Sequence, residues 1–316
     1  MRVLITGAAG YIGQQLLNQL AIQHPQWTLI AADIRPQSRA GLKLNIEPVL
    51  LDISNSAAVA SCVATWLPQA IVHLASVVTP PPGMSEEQLH AIDVGGTQSL
   101  IQAAAAHGVE QLIVTSSGAA YGYDPQNAEW LDEDQPLRGH AQFAYAKHKR
   151  EVEVLLAEAR TQHPHLKQLV LRPGTILGKQ VNNQITELFK KPSVLGIRGS
   201  DSRFVFIWDQ DVVDIICRGL RQQSAGIFNL AGDGALSLKE IAELLGKPYR
   251  PLPAWLIRAA LRVLKPLGLS PYGPEQVDFL RYRPVLSNRR LKQNFGFSPR
   301  YSSREAFLAF LRAQGI

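Results

Sequence analysis

A chain of 316 residues with 46% hydrophobic content and a formal charge of +6 can bury one large core or two coupled ones. Its basic residues are spread along the chain rather than massed in tails, which argues against nucleic acid as a partner; its two cysteines, Cys62 and Cys217, lie far apart in apolar segments, which argues against a disulfide scaffold or thiolate metal site. No stretch reaches membrane-spanning length, and the run after Met1-Arg2 lacks the pattern of a signal peptide, so a cytoplasmic protein is expected.

Short β-branched runs come first: "RVLIT", "WTLIAAD", "EPVLLD", "AIVHLAS", "QLIVTSS" and "QLVLRPG", each but the last followed by a longer amphipathic or Ala-rich stretch. That alternation predicts βαβ units and a parallel sheet, an α/β fold. After Pro173 the rhythm loosens into a strand-like "RFVFI", a helix from about Asp211, "GIFNLAG", and a capping box at Ser237 to Glu240. "PAWLIRAALRVLKPLGL" predicts an amphipathic helix interrupted by Arg258, Arg262 and Lys265. The expected division is a dinucleotide-binding domain over 1–173, with a segment near 203–232 returning to it, and a smaller substrate lobe over 174–316.

The first strand runs into Gly7-Ala8-Ala9-Gly10-Tyr11-Ile12-Gly13 and then a helix. Gly7 suits a tight turn, Gly10 leaves room for a pyrophosphate, and Gly13 lets the helix pack close to the sheet. The helix N-terminus offers free N–H groups and the positive end of its dipole to phosphates. Asp33 closes the second strand about twenty residues on, where a carboxylate accepts from ribose hydroxyls. It would repel a 2′-phosphate, which favours NAD over NADP, although Arg35 and Arg39 could attract one. Asp52-Ile53 ends the third strand, either against the adenine ring or as a helix cap.

"FAYAKHKR" carries Tyr145 and Lys149 at i and i+4, on one face of a helix. A free tyrosine titrates near 10, and bringing it toward neutrality needs roughly 4 kcal/mol of preferential phenolate stabilisation. The Lys149 ammonium, helped by a positive nicotinamide ring, is expected to supply it, so that Tyr145 exchanges a proton with a substrate hydroxyl as a hydride moves. The fifth strand ends in "VTSSGAAYG", where Ser117 would hold the substrate oxygen while Thr115 and Ser116 satisfy local backbone groups. No metal-binding spacing is present; His73, inside a strand, and His140, in a loop, read as structural.

With these residues in hand the chain resembles the extended, epimerase/dehydratase-type short-chain dehydrogenases/reductases along nearly its whole length. "TGAAGYIG", "VHLAS", "SSGAAYG", "YAKHK", "DEDQP", "IWDQDVV", "GIFNLAG" and "FGFSPRYSSREAF" carry the likeness. The resemblance implies a Rossmann-type doubly wound sheet, a smaller C-terminal substrate-binding lobe and a homodimer. It makes Ser117, Tyr145 and Lys149 the catalytic residues. It also assigns cofactor contacts to Gly7, Gly10, Tyr11, Ile12, Gly13, Asp33, Arg35, Asp52, Ile53, Leu74, Ala75, Ser76, Tyr145, Lys149 and Pro173.

Three departures narrow the reaction. Gly118-Ala119 follow Ser117 where the family's dehydratases carry an Asp-Glu pair, so elimination lacks its acid and base. Arg172-Pro173-Gly174-Thr175 replaces the epimerases' Arg-x-x-Asn, which argues against a sugar nucleotide, and Asp93 stands where the family has Asn. The arginine-rich "RYRPVLSNRRLKQNFGFSPRYSSR" either holds a phosphorylated or nucleotide-linked substrate or is a solvated basic face. The expected activity is hydride transfer between NAD and a secondary alcohol or ketone. The alternatives are a nucleotide-sugar epimerase with tightly held NAD and a non-catalytic dinucleotide sensor.

Overall fold

The computed structural model describes residues 1–35, 39, 41–81, 83–181, 183–270 and 273–315. Its first half alternates strands and helices as their periodicities require. Strands β1 (Arg2–Thr6), β2 (Thr28–Asp33), β3 (Ile46–Leu50), β4 (Ala70–His73), β5 (Gln111–Thr115) and β6 (Lys167–Pro173) are mostly buried apolar runs. Between them lie α1 (Tyr11–Gln23), α2 (Ser56–Trp66), α3 (Glu86–His90), α4 (Gly96–Ala106) and α5 (Ala144–Gln162), with a π-helical turn over Ala91–Gly95 joining α3 to α4.

The chain then forms β7 (Thr175–Leu177), α6 (Gln184–Lys190), β8 (Val194–Ile197), β9 (Arg203–Phe204), β10 (Phe206–Trp208) and α7 (Asp209–Gln222). It continues with β11 (Gly226–Leu230), β12 (Leu236–Ser237), α8 (Leu238–Leu244), β13 (Tyr249–Leu252), α9 (Ala254–Leu264), α10 (Gln276–Arg281) and α11 (Ser303–Gln314).

Seven strands form one sheet in the order β11-β6-β5-β4-β1-β2-β3, every neighbouring pair parallel. Its two faces are covered separately, as a parallel sheet demands. Leu16 and Leu20 of α1 pack with Val212, Ile215 and Ile216 of α7 on one side. Val59 of α2, Leu100 of α4 and Val152 and Leu156 of α5 pack on the other. The fold is therefore a Rossmann-type doubly wound sheet, and its strand order reverses at β1, opening a crevice beyond the carboxyl ends of β1 and β4.

The later segments build a second, aromatic core around Phe189, Phe204, Phe206, Phe307 and Phe310. "RFVFI" is not the single strand its alternation suggested. Phe204 pairs with Leu236 in an antiparallel β9·β12 ribbon, whereas Phe206 to Trp208 pair with β7 in parallel. Phe204 and Phe206 both enter the aromatic core while Val205 packs beside Tyr121 and Leu286, so the run divides between two sets of partners. The Ser237–Glu240 capping box is present, with Glu240 N–H bonded to Ser237 Oγ at 3.2 Å. Among the described residues no helix is long and apolar enough to cross a membrane.

Candidate active site

The glycine loop is folded so tightly that side chains are sterically barred at two of its positions. Gly7 has φ +70°, and a Cβ there would lie 2.7 Å from the backbone nitrogen of Ala75. At Gly13 a Cβ would run into the carbonyl oxygen of Gly7 and the backbone of Ala8. Gly10 caps α1 without a side-chain hydrogen bond, so no side chain closes off the first amides of the helix, at Tyr11, Ile12 and Gly13. An open helix N-terminus flanked by glycines fits the pyrophosphate of a dinucleotide.

Asp33 is buried at the end of β2 and ties the loop to that strand: Oδ2 accepts from Ala9 N–H at 2.9 Å, and Oδ1 from Arg35 N–H at 2.9 Å and Arg35 Nε at 3.2 Å. Arg39, one expected attractor of a 2′-phosphate, is instead bound to Glu47 through two guanidinium nitrogens. Leu74 and Ala75 follow β4 directly against Gly7, and after them the buried Ser76 Oγ has no hydrogen-bond partner among the described residues.

Asp52 lies just past β3, exposed, with Oδ1 accepting from Ser54 N–H and Oγ. It does not cap α2; Asn55 does, accepting from Ala58 N–H at 3.0 Å. Ile53 is buried, its side chain packed against Gly96. Tyr11 has its phenol turned away toward α7, donating to Asp209 at 2.5 Å. Pro173 is buried where β6 pairs with Leu230.

The carboxyl end of β5 and the first turns of α5 bring Ser117, Tyr145 and Lys149 together. Ser117 Oγ accepts from Ala119 N–H at 3.1 Å and lies near enough to the Tyr145 phenol to favour its ionised form. Lys149, buried, donates through Nζ to Thr115 O at 3.1 Å and lies 5.6 Å from the centre of the Tyr145 ring. Burial pushes Tyr145 up to about 12, opposed by the nearby Ser117 side chain and reinforced by the Asp93 carboxylate. The Lys149 ammonium, over the ring and bonded to a backbone carbonyl, is the nearest positive charge that could favour the phenolate. Burial also lowers Lys149, while Asp93 and Glu153 raise it.

Two acidic residues the sequence did not single out for roles here hold this site. Glu153, one turn after Lys149, is buried and accepts from Arg172 Nε at 2.8 Å and Nη2 at 2.5 Å and from Ser116 Oγ at 2.5 Å. Arg172 also reaches Tyr121 Oη at 2.7 Å and Glu133 O at 3.0 Å, and Ser116 serves a side chain rather than the backbone. Arg172 is thus fully engaged within the fold and free for no nucleotide. The i, i+4 spacing of Lys149 and Glu153 was the available signal. Asp93, also buried, accepts from Val77 N–H at 3.1 Å and lies 3.6 Å from His148 Nδ1.

A carboxylate in place of the family's Asn keeps a negative charge near the Tyr145 phenol. Asp93→Asn is therefore expected to lower the titration of Tyr145. Ultraviolet difference titration of tyrosinate, read against Tyr145→Phe in each background, measures this, and an unmoved titration would show that the phenol does not feel Asp93.

A third cluster lies next to Tyr145. Tyr123 packs edge-on against Phe143 and Phe279, with ring centres 4.8 and 4.9 Å apart, and burial raises its phenol. Arg283 lies over Phe204 at 4.1 Å and Phe279 at 4.6 Å; its Nη2 donates to Thr175 Oγ1 at 3.5 Å, while its buried Nη1 has no hydrogen-bond partner among the described residues. Among the described residues no carboxylate pairs with it, and burial pushes it down to about 10. The arginine-rich stretch does not act as one face, since Arg290 pairs with Glu133 and Asp134 and Arg300 with Asp211 and Asp214.

Residues 3–231 match the sequence profile of the NAD dependent epimerase/dehydratase family. The uncharacterized protein Rv0501 of Mycobacterium tuberculosis is 25% identical over 318 residues, covering 99% of this chain and 84% of that protein. Among solved structures, the UDP-glucose 4-epimerase of Thermus thermophilus in complex with NAD superposes with a TM-score of 0.73 at 21% identity, covering 99% of this chain and 98% of that one. A short-chain dehydrogenase/reductase superfamily protein of Agrobacterium tumefaciens with bound NAD gives 0.75 at 20% identity, covering 100% and 97%. The match over most of the chain, on a fold whose glycine cradle suits a dinucleotide, shows that the protein belongs to the NAD dependent epimerase/dehydratase family.

Proposed function

We propose that this protein catalyses hydride transfer at a secondary alcohol or ketone carbon with Ser117, Tyr145 and Lys149 as its working side chains. The observation that carries this reading is their convergence at the carboxyl end of β5, beside the crevice where the glycine loop opens. Bound NAD would supply or accept the hydride, and its oxidised ring would add a second positive charge beside that of Lys149. Gly7, Gly10, Gly13 and the open amides of α1 would hold its pyrophosphate, Asp33 its adenosine ribose, and Asp52 its adenine. Because Asp33 is acidic and Arg39 is taken up by Glu47, NAD is favoured over NADP.

With its pKa near 12, Tyr145 is protonated at neutral pH and suited to give its proton to a carbonyl oxygen held by Ser117. In the reverse direction the phenol must first lose that proton, which makes oxidation of an alcohol the more pH-dependent direction. Lys149 would hold the ribose of the cofactor. Residues 1–173, with the segment near 203–232 returning to them, would form the cofactor half and the rest of 174–316 mainly the substrate lobe, in a cytoplasmic homodimer.

Arg283 supports a substrate that carries an anion. A part-buried guanidinium with no counter-charge and one buried, unpaired nitrogen is unfavourable until a ligand supplies an anion. The same observation keeps the nucleotide-sugar epimerase reading open, since such substrates bring phosphates and use the same three catalytic side chains. Arg283→Met, close in length, is expected to leave the melting temperature in anion-free buffer equal or higher, and to remove the rise that millimolar pyrophosphate or UDP-glucuronate gives the NAD-loaded wild type. A variant that melts lower and still responds fully to those anions would make Arg283 a structural residue.

A further inference from the structure

We propose that helix α9 and the turn after it form a docking surface for an anionic lipid bilayer, lying in the plane of the membrane interface. The helix is apolar on two faces. Its inner face is satisfied, with Ile257 buried against Ile197 and Val277 and with Leu261 packed beside them. At 100° per residue, Trp255, Ala259 and Val263 form a second stripe at i, i+4 and i+8, with Leu256 and Ala260 alongside. That stripe faces outward: Trp255 is 70% exposed, Leu256 41% and Val263 59%. Leu267 at 64% and Leu269 at 72% extend it beyond the helix.

Charge decides the occupant. Arg258, Arg262 and Lys265 run along one flank of the outward stripe. Arg198, Arg258 and Arg262 line an open groove of about 500 Å³ beside Trp255, and no carboxylate lines it. Arg258 is paired with Asp278 and Lys265 with Glu275, whereas Arg198 and Arg262 are exposed and, among the described residues, form no ion pair. A second copy of this chain would set the same arginines against themselves in a protein that already carries +6. A bilayer interface with acidic headgroups accepts both features, burying the Trp255 ring and the leucines at headgroup depth while its phosphates meet the guanidinium groups. The helix is too short to span, so the contact is one of lying on the surface.

Co-sedimentation of the NAD-loaded full chain with vesicles tests this. Binding to phosphatidylcholine vesicles carrying phosphatidylglycerol is expected to exceed that to phosphatidylcholine alone by at least about tenfold and to fall as salt is raised. Trp255→Gln combined with Leu256→Gln changes only exposed side chains and should reduce binding by about tenfold or more, as should Arg262→Glu with Arg198→Glu. Unchanged NAD binding in each variant would show that the fold is intact. Wild-type binding no greater than that of the Trp255→Gln/Leu256→Gln variant, or equal binding to neutral and acidic vesicles, would overturn the proposal. So would a concentration-dependent dimer that this double substitution abolishes, because the face would then belong to a second copy.

Discussion

Tyr145→Phe is expected to lower turnover by about 10²–10⁴-fold, the range a positioned proton donor contributes, while changing NAD affinity by no more than a few-fold. The substitution removes one oxygen from a half-buried ring beside Ser117 and leaves the ring in place. Loss of the proton donor should therefore appear in kcat rather than in folding or cofactor binding. The direction of the phenol's titration sharpens the expectation. Burial raises the Tyr145 phenol and a bound oxidised nicotinamide ring would lower it, so the wild type should reduce ketones over a broad neutral range and oxidise alcohols faster as the pH rises. A variant as active as the wild type in both directions would remove Tyr145 from the chemistry.

The second large effect separates the two glycines of the cradle. Gly13→Ala would drive a Cβ into the Gly7 carbonyl and the Ala8 backbone, neither of which can swing aside. It should lower stability by about 1–3 kcal/mol and weaken NAD binding by about 100-fold or more. At Gly10 a Cβ would meet only the Gly7 oxygen, at 3.0 Å, a contact that a small shift relieves. Gly10→Ala should therefore fold almost as the wild type does yet also lose NAD, because its new methyl group occupies the approach of the pyrophosphate. Thermal melting and calorimetric titration measure the pair. Near-native NAD affinity in Gly10→Ala would place the dinucleotide elsewhere.

The parts of the molecule readable from sequence are those fixed by local spacing. Strand runs, glycine intervals and the Tyr145–Lys149 step depend on neighbours within a few residues, and the sheet and crevice follow from them. What the sequence hid is set by residues far apart in the chain. The acidity of Tyr145 depends on how deeply α5 is buried and on Asp93, which arrives from the turn before α4. Nothing in the spacing announced that Arg172 would be held by Glu153, 19 residues earlier. Arg283 could not be told from the arginines around it, because only the fold shows which of them meets a carboxylate and which meets two phenylalanine rings. "RFVFI" divided because its alternate side chains are claimed by different cores.

The most direct test of hydride transfer follows reduced nicotinamide and product together when the purified protein is mixed with NAD and a panel of secondary alcohols, hydroxy acids and sugar nucleotides. The account predicts substrate-dependent formation of reduced nicotinamide with the matching ketone, or an inverted sugar with the cofactor returned to its starting state, and neither with Tyr145→Phe. A wild-type protein that binds NAD tightly and converts nothing in the panel would contradict it.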